Sequence, residues 1–307
     1  MTKMNRIVSP DAEDQPLIAG QAPLCPTSEP CSNLGLVDTS VLKTLQVIAT
    51  AAGQTLLEVY GTSLTVDYKG PGDPVTAADH QSNRLIVQRL NQAFPDVPVV
   101  AEESEPVSFK GFQEAERVFF VDPLDGTREF LQRNGEFAVM IGLVEGCRAV
   151  AAVIYAPATG VTWIGAEGLG AWRIDPSVGL WIPVRVSGTD DLSRARIVVS
   201  RSHRSTRLER ALTVLGAREV RPMGSAGLKG AQVAEGLAEL YVDTSASTKR
   251  WDACAVDALV TAAGGRVSDL TGARIDYRGP TLANEHGLVV SNGRTHEAAL
   301  AKLARQL

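Results

Sequence analysis

Val118-Phe119-Phe120-Val121-Asp122-Pro123-Leu124-Asp125-Gly126-Thr127 is the stretch around which the rest of the chain can be read. Four apolar residues make a buried strand, which runs straight into two carboxylates three residues apart. Pro123 is expected to stop the ladder and stiffen the exit. Gly126 lets the backbone come close to a ligand. The N–H groups of Gly126 and Thr127 open a turn that suits a phosphate oxygen. Carboxylates held at a rigid strand end suit hard divalent cations, which take oxygen ligands. The competing explanation is an ordinary Asp-rich turn, since Asp-Gly is a common turn pair.

Downstream, apolar runs at Phe137–Val144, Ala149–Tyr155, Val161–Gly165 and near Trp172 are punctuated by Gly and Pro, as in an antiparallel meander. Trp163, Trp172 and Trp181 fall within it and read as sheet packing. Upstream, Asp38-Thr39-Ser40 is a helix cap. Val41, Leu45, Ile48, Ala52, Leu56 and Val59 follow at helical spacing, and Gly61 ends the helix. A second helix is predicted over 77–93. After about residue 190 strand and helix alternate: strands at Arg196–Ser200, Glu239–Asp243 and Gly287–Asn292, helices at Thr206–Leu215, Gly224–Gly236, Trp251–Ala263 and Glu297–Ala304. The reading is therefore an α+β domain over 39–190 carrying most of the acids, and an α/β domain over 191–307 contributing Asp252. Residues 1–38, with five prolines and no periodicity, read as a disordered tail.

The chain has 30 basic and 35 acidic residues, a formal net charge of −5, so it is a poor candidate for wrapping a nucleic acid polymer. No apolar run approaches the roughly 20 residues of a membrane span. Four cysteines with no CxxC pair argue against zinc and against a disulfide scaffold. They point to a reducing compartment.

Three further segments place acids beside apolar elements: Asp73-Pro74-Val75-Thr76-Ala77-Ala78-Asp79, Val99-Val100-Ala101-Glu102-Glu103-Ser104 and Trp251-Asp252-Ala253-Cys254-Ala255. Taken singly each is bland. Asp79 and Asp252 sit in the first turns of helices, where an acid is a favourable dipole partner, and paired glutamates are usually a solvated face. In this order, however, the four segments resemble the D-x-V-T-x-A-D, E-E-S, D-P-x-D-G-T and W-D-x-(A/C)-A motifs of the inositol monophosphatase-like family of Mg²⁺-dependent, lithium-sensitive phosphomonoesterases. The resemblance covers about residues 39–307. The continuation Arg128-Glu129-Phe130-Leu131-Gln132-Arg133-Asn134-Gly135-Glu136-Phe137 is similar to the 3'(2'),5'-bisphosphate nucleotidase branch, the CysQ-type proteins of sulfate assimilation.

The resemblance implies a layered αβαβα sandwich with the metal site between its halves, and two or three Mg²⁺ ions. It implies that Glu102, Asp122 and the Leu124 carbonyl hold one ion, and Asp122, Asp125 and Asp252 another. Asp79 and Thr127 would polarise the attacking water, with Glu102 sharing that work. Contacts to substrate are expected from Asp125, Gly126, Thr127 and Asp252. Arg201, His203 and Lys229 are candidates for the rest of the nucleotide, with Arg204 and Lys249 behind them. A bidentate arginine would suit the non-reacting phosphate, whereas a solvated surface charge is the plain alternative for each.

The expected activity is removal of phosphate from adenosine 3',5'-bisphosphate, with its sulfated form 3'-phosphoadenylyl sulfate as a further substrate. An inositol or sugar monophosphatase and a non-catalytic regulatory paralogue are the alternatives. The Arg-Asn-Gly-Glu-Phe run argues against the first, and the intact acids argue against the second. Members of the family often form homodimers, though no exposed stripe in this sequence argues for one. The expected location is cytoplasmic; some bacterial members sit peripherally on the inner membrane, but this chain shows no anchor. The tail carries −3 of the net charge and the remaining body −2, and without the five site acids the body would be +3. The acidity is thus concentrated in a tail and a pocket.

Overall fold

In the computed structural model the described residues are 37–62, 66–70 and 73–305, and they belong to one compact unit. The predicted tail lies outside the described residues except for Val37 and Asp38. Helix α1 spans Thr39–Tyr60, and Asp38 caps it by accepting from Ser40 N at 2.8 Å and Val41 N at 3.1 Å. A short hairpin, β1 (Val66–Gly70) and β2 (Asp73–Thr76), leads into α2 (Ala77–Ala93). Strands β3 (Val99–Ala101), β4 (Arg117–Asp125), β5 (Ala138–Glu145), β6 (Arg148–Ala156), β7 (Val161–Ala166), β8 (Gly170–Ile174) and β9 (Trp181–Val184) follow, with α3 (Thr127–Gln132) between β4 and β5. They form one seven-stranded sheet in sequence order, β3 parallel to β4 and the others antiparallel.

The second half contains β10 (Arg196–Ser200), α4 (Thr206–Leu215), β11 (Glu219–Met223), α5 (Ala226–Ala234), β12 (Leu240–Asp243), α6 (Arg250–Ala262), β13 (Arg266–Ser268), β14 (Leu288–Ser291) and α7 (His296–Leu303). Its sheet has five strands in the order β11-β10-β12-β14-β13.

Alternation along the strands assembles the layers, because successive side chains point to opposite faces. Phe119, Val121, Val139, Ile141 and Val153 pack with Leu42, Leu45 and Leu56 of α1 and with Ile86 and Leu90 of α2. Their neighbours Val118, Phe120, Met140 and Ile154 pack with α5 and α6, as do Val198, Tyr241 and Val290 from the second sheet. The opposite face of that sheet, Ile197, Val199, Leu240, Val242 and Val289, meets Leu208 and Leu212 of α4 and Leu303 of α7. The order is α1α2, seven-stranded sheet, α5α6, five-stranded sheet, α4α7. This is the αβαβα sandwich. Strands covered on both faces read as near-continuous apolar runs, as these do.

One expectation needs correction. Pro123 does not stop the ladder. Asp122 pairs with Met140 and Asp125 with Ala138, with a register shift between them. Two residues on β4 therefore face one on β5, which is a β-bulge. The bulge matters because residues three apart on a regular strand point to opposite faces. The extra residue brings Asp122 and Asp125 onto the same face, toward α5 and α6. Among the described cysteines Cys254 is buried and free, and Cys147 is disulfide-bonded. Among the described residues no helix is long and apolar enough to cross a membrane.

Candidate active site

Carboxylate oxygens of Asp122, Asp125 and Asp252 come within 4.8 Å of one another. Asp122 and Asp125 arrive from the bulged end of β4, and Asp252 from the first turn of α6. Gly142 permits the close approach of α6: a Cβ there would lie 2.5 Å from Cys254 Sγ, two residues past Asp252.

Each acid has an oxygen fixed by a backbone N–H. Asp122 Oδ1 accepts from Leu124 N at 3.0 Å, and Asp125 Oδ2 from Gly227 N at 2.8 Å. Asp252 Oδ2 accepts from Lys249 N at 2.6 Å. The Ser225 hydroxyl also donates to Asp125 Oδ2. These bonds set the carboxylate planes and leave a face of each acid turned toward the others.

Burial pushes the Asp122 carboxyl well above its ordinary range, and the charges of Glu102, Asp125 and Asp252 add to the effect. Asp252 is raised in the same way by burial, Glu102 and Asp125. Like charges this close cannot all ionise without a cation among them. An all-oxygen, acid-rich donor set fits hard divalent ions such as Mg²⁺. The residues present therefore fit the metal that the resemblance implies.

Glu102 follows β3, and its N–H donates to Val121 O at 3.1 Å. Glu102 is not one of the three acids within 4.8 Å, but its charge raises Asp79, Asp122 and Asp252, which puts it beside them. Asp79 is buried in the first turn of α2, with Oδ2 accepting from Thr76 N at 2.8 Å and Thr76 Oγ1 at 2.6 Å. Burial raises its pKa against these bonds, with a smaller push from Glu102. Thr127 Oγ1 lies 3.2 Å from both Asp79 Oδ1 and Leu124 O. One hydroxyl thus spans the predicted proton acceptor and the predicted carbonyl ligand. Ser82 Oγ donates to Pro123 O at 2.9 Å and holds the bulge from α2. Gly126, at φ +94°, makes the turn into α3; a Cβ there would lie 2.9 Å from Glu136 O.

The candidates for the rest of the substrate are placed less uniformly. Arg201 forms a bidentate pair with Glu136, Nε to Oε2 at 2.8 Å and Nη2 to Oε1 at 2.7 Å. His203 follows the end of β10, with Nδ1 3.3 Å from Ser200 Oγ. Burial, then the Arg128 charge, lowers its pKa. Ser200, His203, Arg204, Asp243 and Ser245 help line a groove of about 260 Å³ at the ends of β10 and β12. Lys229 is not in that groove. It is 3% exposed, with Nζ 2.7 Å from Ser225 O and 5.0 Å from the Tyr241 ring centroid. Its charge lies under the α5 N-terminus near Asp125. Arg204 pairs with Glu209, Nε to Oε1 at 2.8 Å.

Several further residues at the site take on a role of their own only in the structure. Glu136 Oε2 accepts from Gly224 N at 2.7 Å, so the Arg-Asn-Gly-Glu-Phe run anchors the loop that carries Ser225. Ser202 donates to Glu129, and Arg128 Nη1 donates to Ser202 O at 3.2 Å. Ser225 caps α5, its hydroxyl accepting from Leu228 N at 3.0 Å. Its φ of +56° is rare for a residue with a Cβ and directs its hydroxyl at Asp125.

Residues 38–307 match the Inositol monophosphatase family. A curated relative, 3'(2'),5'-bisphosphate nucleotidase CysQ of Salmonella typhimurium, is 39% identical over 232 residues, which is 75% of this chain and 91% of the relative. Among solved structures, CysQ from Bacteroides thetaiotaomicron superposes with a TM-score of 0.70 at 29% identity, covering 82% of this chain and 97% of that one. The extragenic suppressor protein suhB from Bartonella henselae superposes with a TM-score of 0.76 at 28% identity, covering 87% and 100%.

Proposed function

The chain belongs to the inositol monophosphatase family, and from that premise we propose that it is a Mg²⁺-dependent 3'(2'),5'-bisphosphate nucleotidase that converts adenosine 3',5'-bisphosphate to AMP and phosphate. The observation that carries the metal-dependent chemistry is the convergence of Asp122, Asp125 and Asp252 within 4.8 Å. The nucleotide substrate is supported by the CysQ relatives and by the Arg133-Asn134-Gly135-Glu136-Phe137 run. The sulfated analogue, 3'-phosphoadenylyl sulfate, is a further substrate on this reading.

Asp122, Asp125 and Asp252 would hold one ion, and Asp122, Glu102 and the Leu124 carbonyl another. Bound Mg²⁺ supplies charge to the phosphate oxygens and the leaving oxygen, and lowers the pKa of an attacking water. The chain's own part is positioning and proton movement. Thr127 Oγ1 stands between Leu124 O and Asp79 Oδ1, so it can take a proton from water while passing its own to Asp79. Burial raises the affinity of Asp79 for that proton. Glu102 adds negative charge on the same side. The N–H groups of Gly126 and Thr127 open α3 beside Asp125 and would receive a phosphate oxygen. The groove lined by His203 and Arg204, with Arg201 next to its Ser200 and Ser202 along the chain, would take the nucleoside and its second phosphate.

The test is a side-by-side panel of adenosine 3',5'-bisphosphate, 3'-phosphoadenylyl sulfate and inositol monophosphate with Mg²⁺. The bisphosphate should be hydrolysed fastest. Much faster hydrolysis of inositol monophosphate would overturn the nucleotide assignment. No hydrolysis of any of them by metal-loaded protein would favour a regulatory paralogue.

A further inference from the structure

We infer that Asn284 is a positioning residue for Asp252, setting the carboxylate for its cation through the turn that precedes α6. The inference rests on the metal-dependent reading above.

Asn284 is 2% exposed and lies between β13 and β14, on a segment with no acid in the proposed metal site. Its backbone N–H donates to Thr248 O at 2.8 Å. Thr248 O and Lys249 N belong to one peptide plane, and that Lys249 N–H donates to Asp252 Oδ2 at 2.6 Å. In a trans peptide the C=O and N–H point in opposite directions. The Asn284 N–H, the peptide and the Asp252 carboxylate therefore form a single line of hydrogen bonds.

The Asn284 side chain fixes the next peptide. Nδ2 donates to Lys249 O at 2.7 Å and to Thr248 Oγ1 at 3.2 Å. Oδ1 accepts from Arg250 Nη1 at 2.7 Å. On the same peptide, Arg250 N donates to Leu282 O at 2.8 Å, and Lys249 forms an isolated antiparallel bridge with Ala283. Both peptides flanking Lys249 are thus clamped from residues 282–284.

This arrangement does more than close a loop. Asp252 has one oxygen committed to Lys249 N–H, so the direction of that N–H decides where the rest of the carboxylate points. Removing the Asn284 side chain leaves its N–H on Thr248 O but takes away the donors to Lys249 O and Thr248 Oγ1, so the two peptides flanking Lys249, and the Asp252 carboxylate with them, are held less closely. Groups that orient a metal ligand from behind typically change metal affinity by about 10- to 100-fold when removed. A contact holding only the loop would leave affinity alone.

A second anchor supplies the control. The segment's Tyr277 is fully buried and its OH donates to Asp257 Oδ2 at 3.0 Å, on α6 but beyond Asp252. Losing that bond should loosen the segment without touching the Lys249 turn.

Mg²⁺ binding is measured by calorimetric titration of the parent chain, Asn284→Ala, Asn284→Asp and Tyr277→Phe, with thermal unfolding in chelator as a check on folding. Asn284→Asp retains the size and the acceptor toward Arg250 but presents oxygen to Lys249 O. It decides the matter if the alanine variant does not fold. Both Asn284 variants should bind Mg²⁺ about tenfold or more weakly, while Tyr277→Phe stays within about twofold of the parent despite a lower melting temperature. Asn284 variants that bind Mg²⁺ like the parent would overturn the positioning role alone. A parent chain that binds no Mg²⁺ would overturn the metal-dependent reading, and the inference with it.

Discussion

Replacing Asp257 by asparagine should stabilise the protein at neutral and alkaline pH and leave it unchanged in acid. Asp257 sits on α6, five residues beyond Asp252, facing the core. Its Oδ2 accepts from Tyr277 OH at 3.0 Å and its Oδ1 from Thr261 Oγ1 at 3.2 Å. Burial outweighs those bonds and the more distant charges of Arg274 and Arg148, and raises the carboxyl from 3.8 to about 6. The folded pKa lies above the unfolded one, so the folded chain holds this proton more tightly. The stability it contributes is complete below about pH 4 and is lost as pH rises through about 6. A shift of about two units corresponds to about 3 kcal/mol. This is an upper limit, because the side chain is only partly shielded from water. Asparagine retains an acceptor for Tyr277 and cannot ionise. Urea unfolding of parent and Asp257→Asn, in chelator at pH 4, 6 and 8, reads the difference directly. The variant should match the parent at pH 4 and exceed it by up to about 3 kcal/mol at pH 8. A pH-independent difference, or a parent more stable at pH 8, would refute the assignment of a costly buried charge.

His296 carries the opposite sign. It is fully buried between Ser268 Oγ at 2.9 Å and Ser291 Oγ at 2.8 Å, and burial pushes its pKa down to about 4. Its contribution is present above the unfolded value near 6.5 and is lost as pH falls toward 4. The stability gap between parent and His296→Gln should therefore narrow by up to about 3 kcal/mol between pH 7 and pH 4; a constant gap over that range would contradict it. At Ser225, φ +56° makes backbone strain part of the price of holding Asp125. Ser225→Gly and Ser225→Ala both lose the hydroxyl, but only glycine relieves the strain. The glycine variant should unfold at the higher temperature, with an advantage of about 1 kcal/mol. The reverse order would show that the backbone is at ease there.

Much of this molecule is legible in its sequence, and the failures have physical causes. Asp38, the apolar spacing after it and Gly61 gave α1 its bounds, and the 77–93 helix matches α2. The long strands of the seven-stranded sheet are nearly continuous apolar runs because both faces are covered. Elements lacking such a run escaped notice. β11, Glu219-Val220-Arg221-Pro222-Met223, is an edge strand with little to bury, and β13 has three residues. α3 is only six residues long and lies inside the acid motif.

The acids of the site were readable from residue type and order, but their convergence was not. Asp122 and Asp125 share a face only because of a bulge, and the bulge is visible only in the ladder with β5. Lys229 is a candidate nucleotide contact by residue type alone, which does not reveal how deeply it is buried. Its amine lies on the Ser225 carbonyl, within a helix of small residues that packs tightly on its neighbours. Ser225 reaches Asp125 with its hydroxyl, and Glu136 and Asn284 act on the turns behind the acids through backbone N–H groups, relations that no residue spacing encodes.

The central claim is that Asp122, Asp125 and Asp252 form a cation-requiring phosphomonoesterase centre. Its most direct test is phosphate release from adenosine 3',5'-bisphosphate as a function of Mg²⁺, for the parent and for Asp122→Asn. The account predicts no release in chelator, a saturable rise with Mg²⁺, and a loss of at least about a hundredfold in the variant. Hydrolysis that persists in chelator, or an Asp122→Asn variant as fast as the parent, would contradict it.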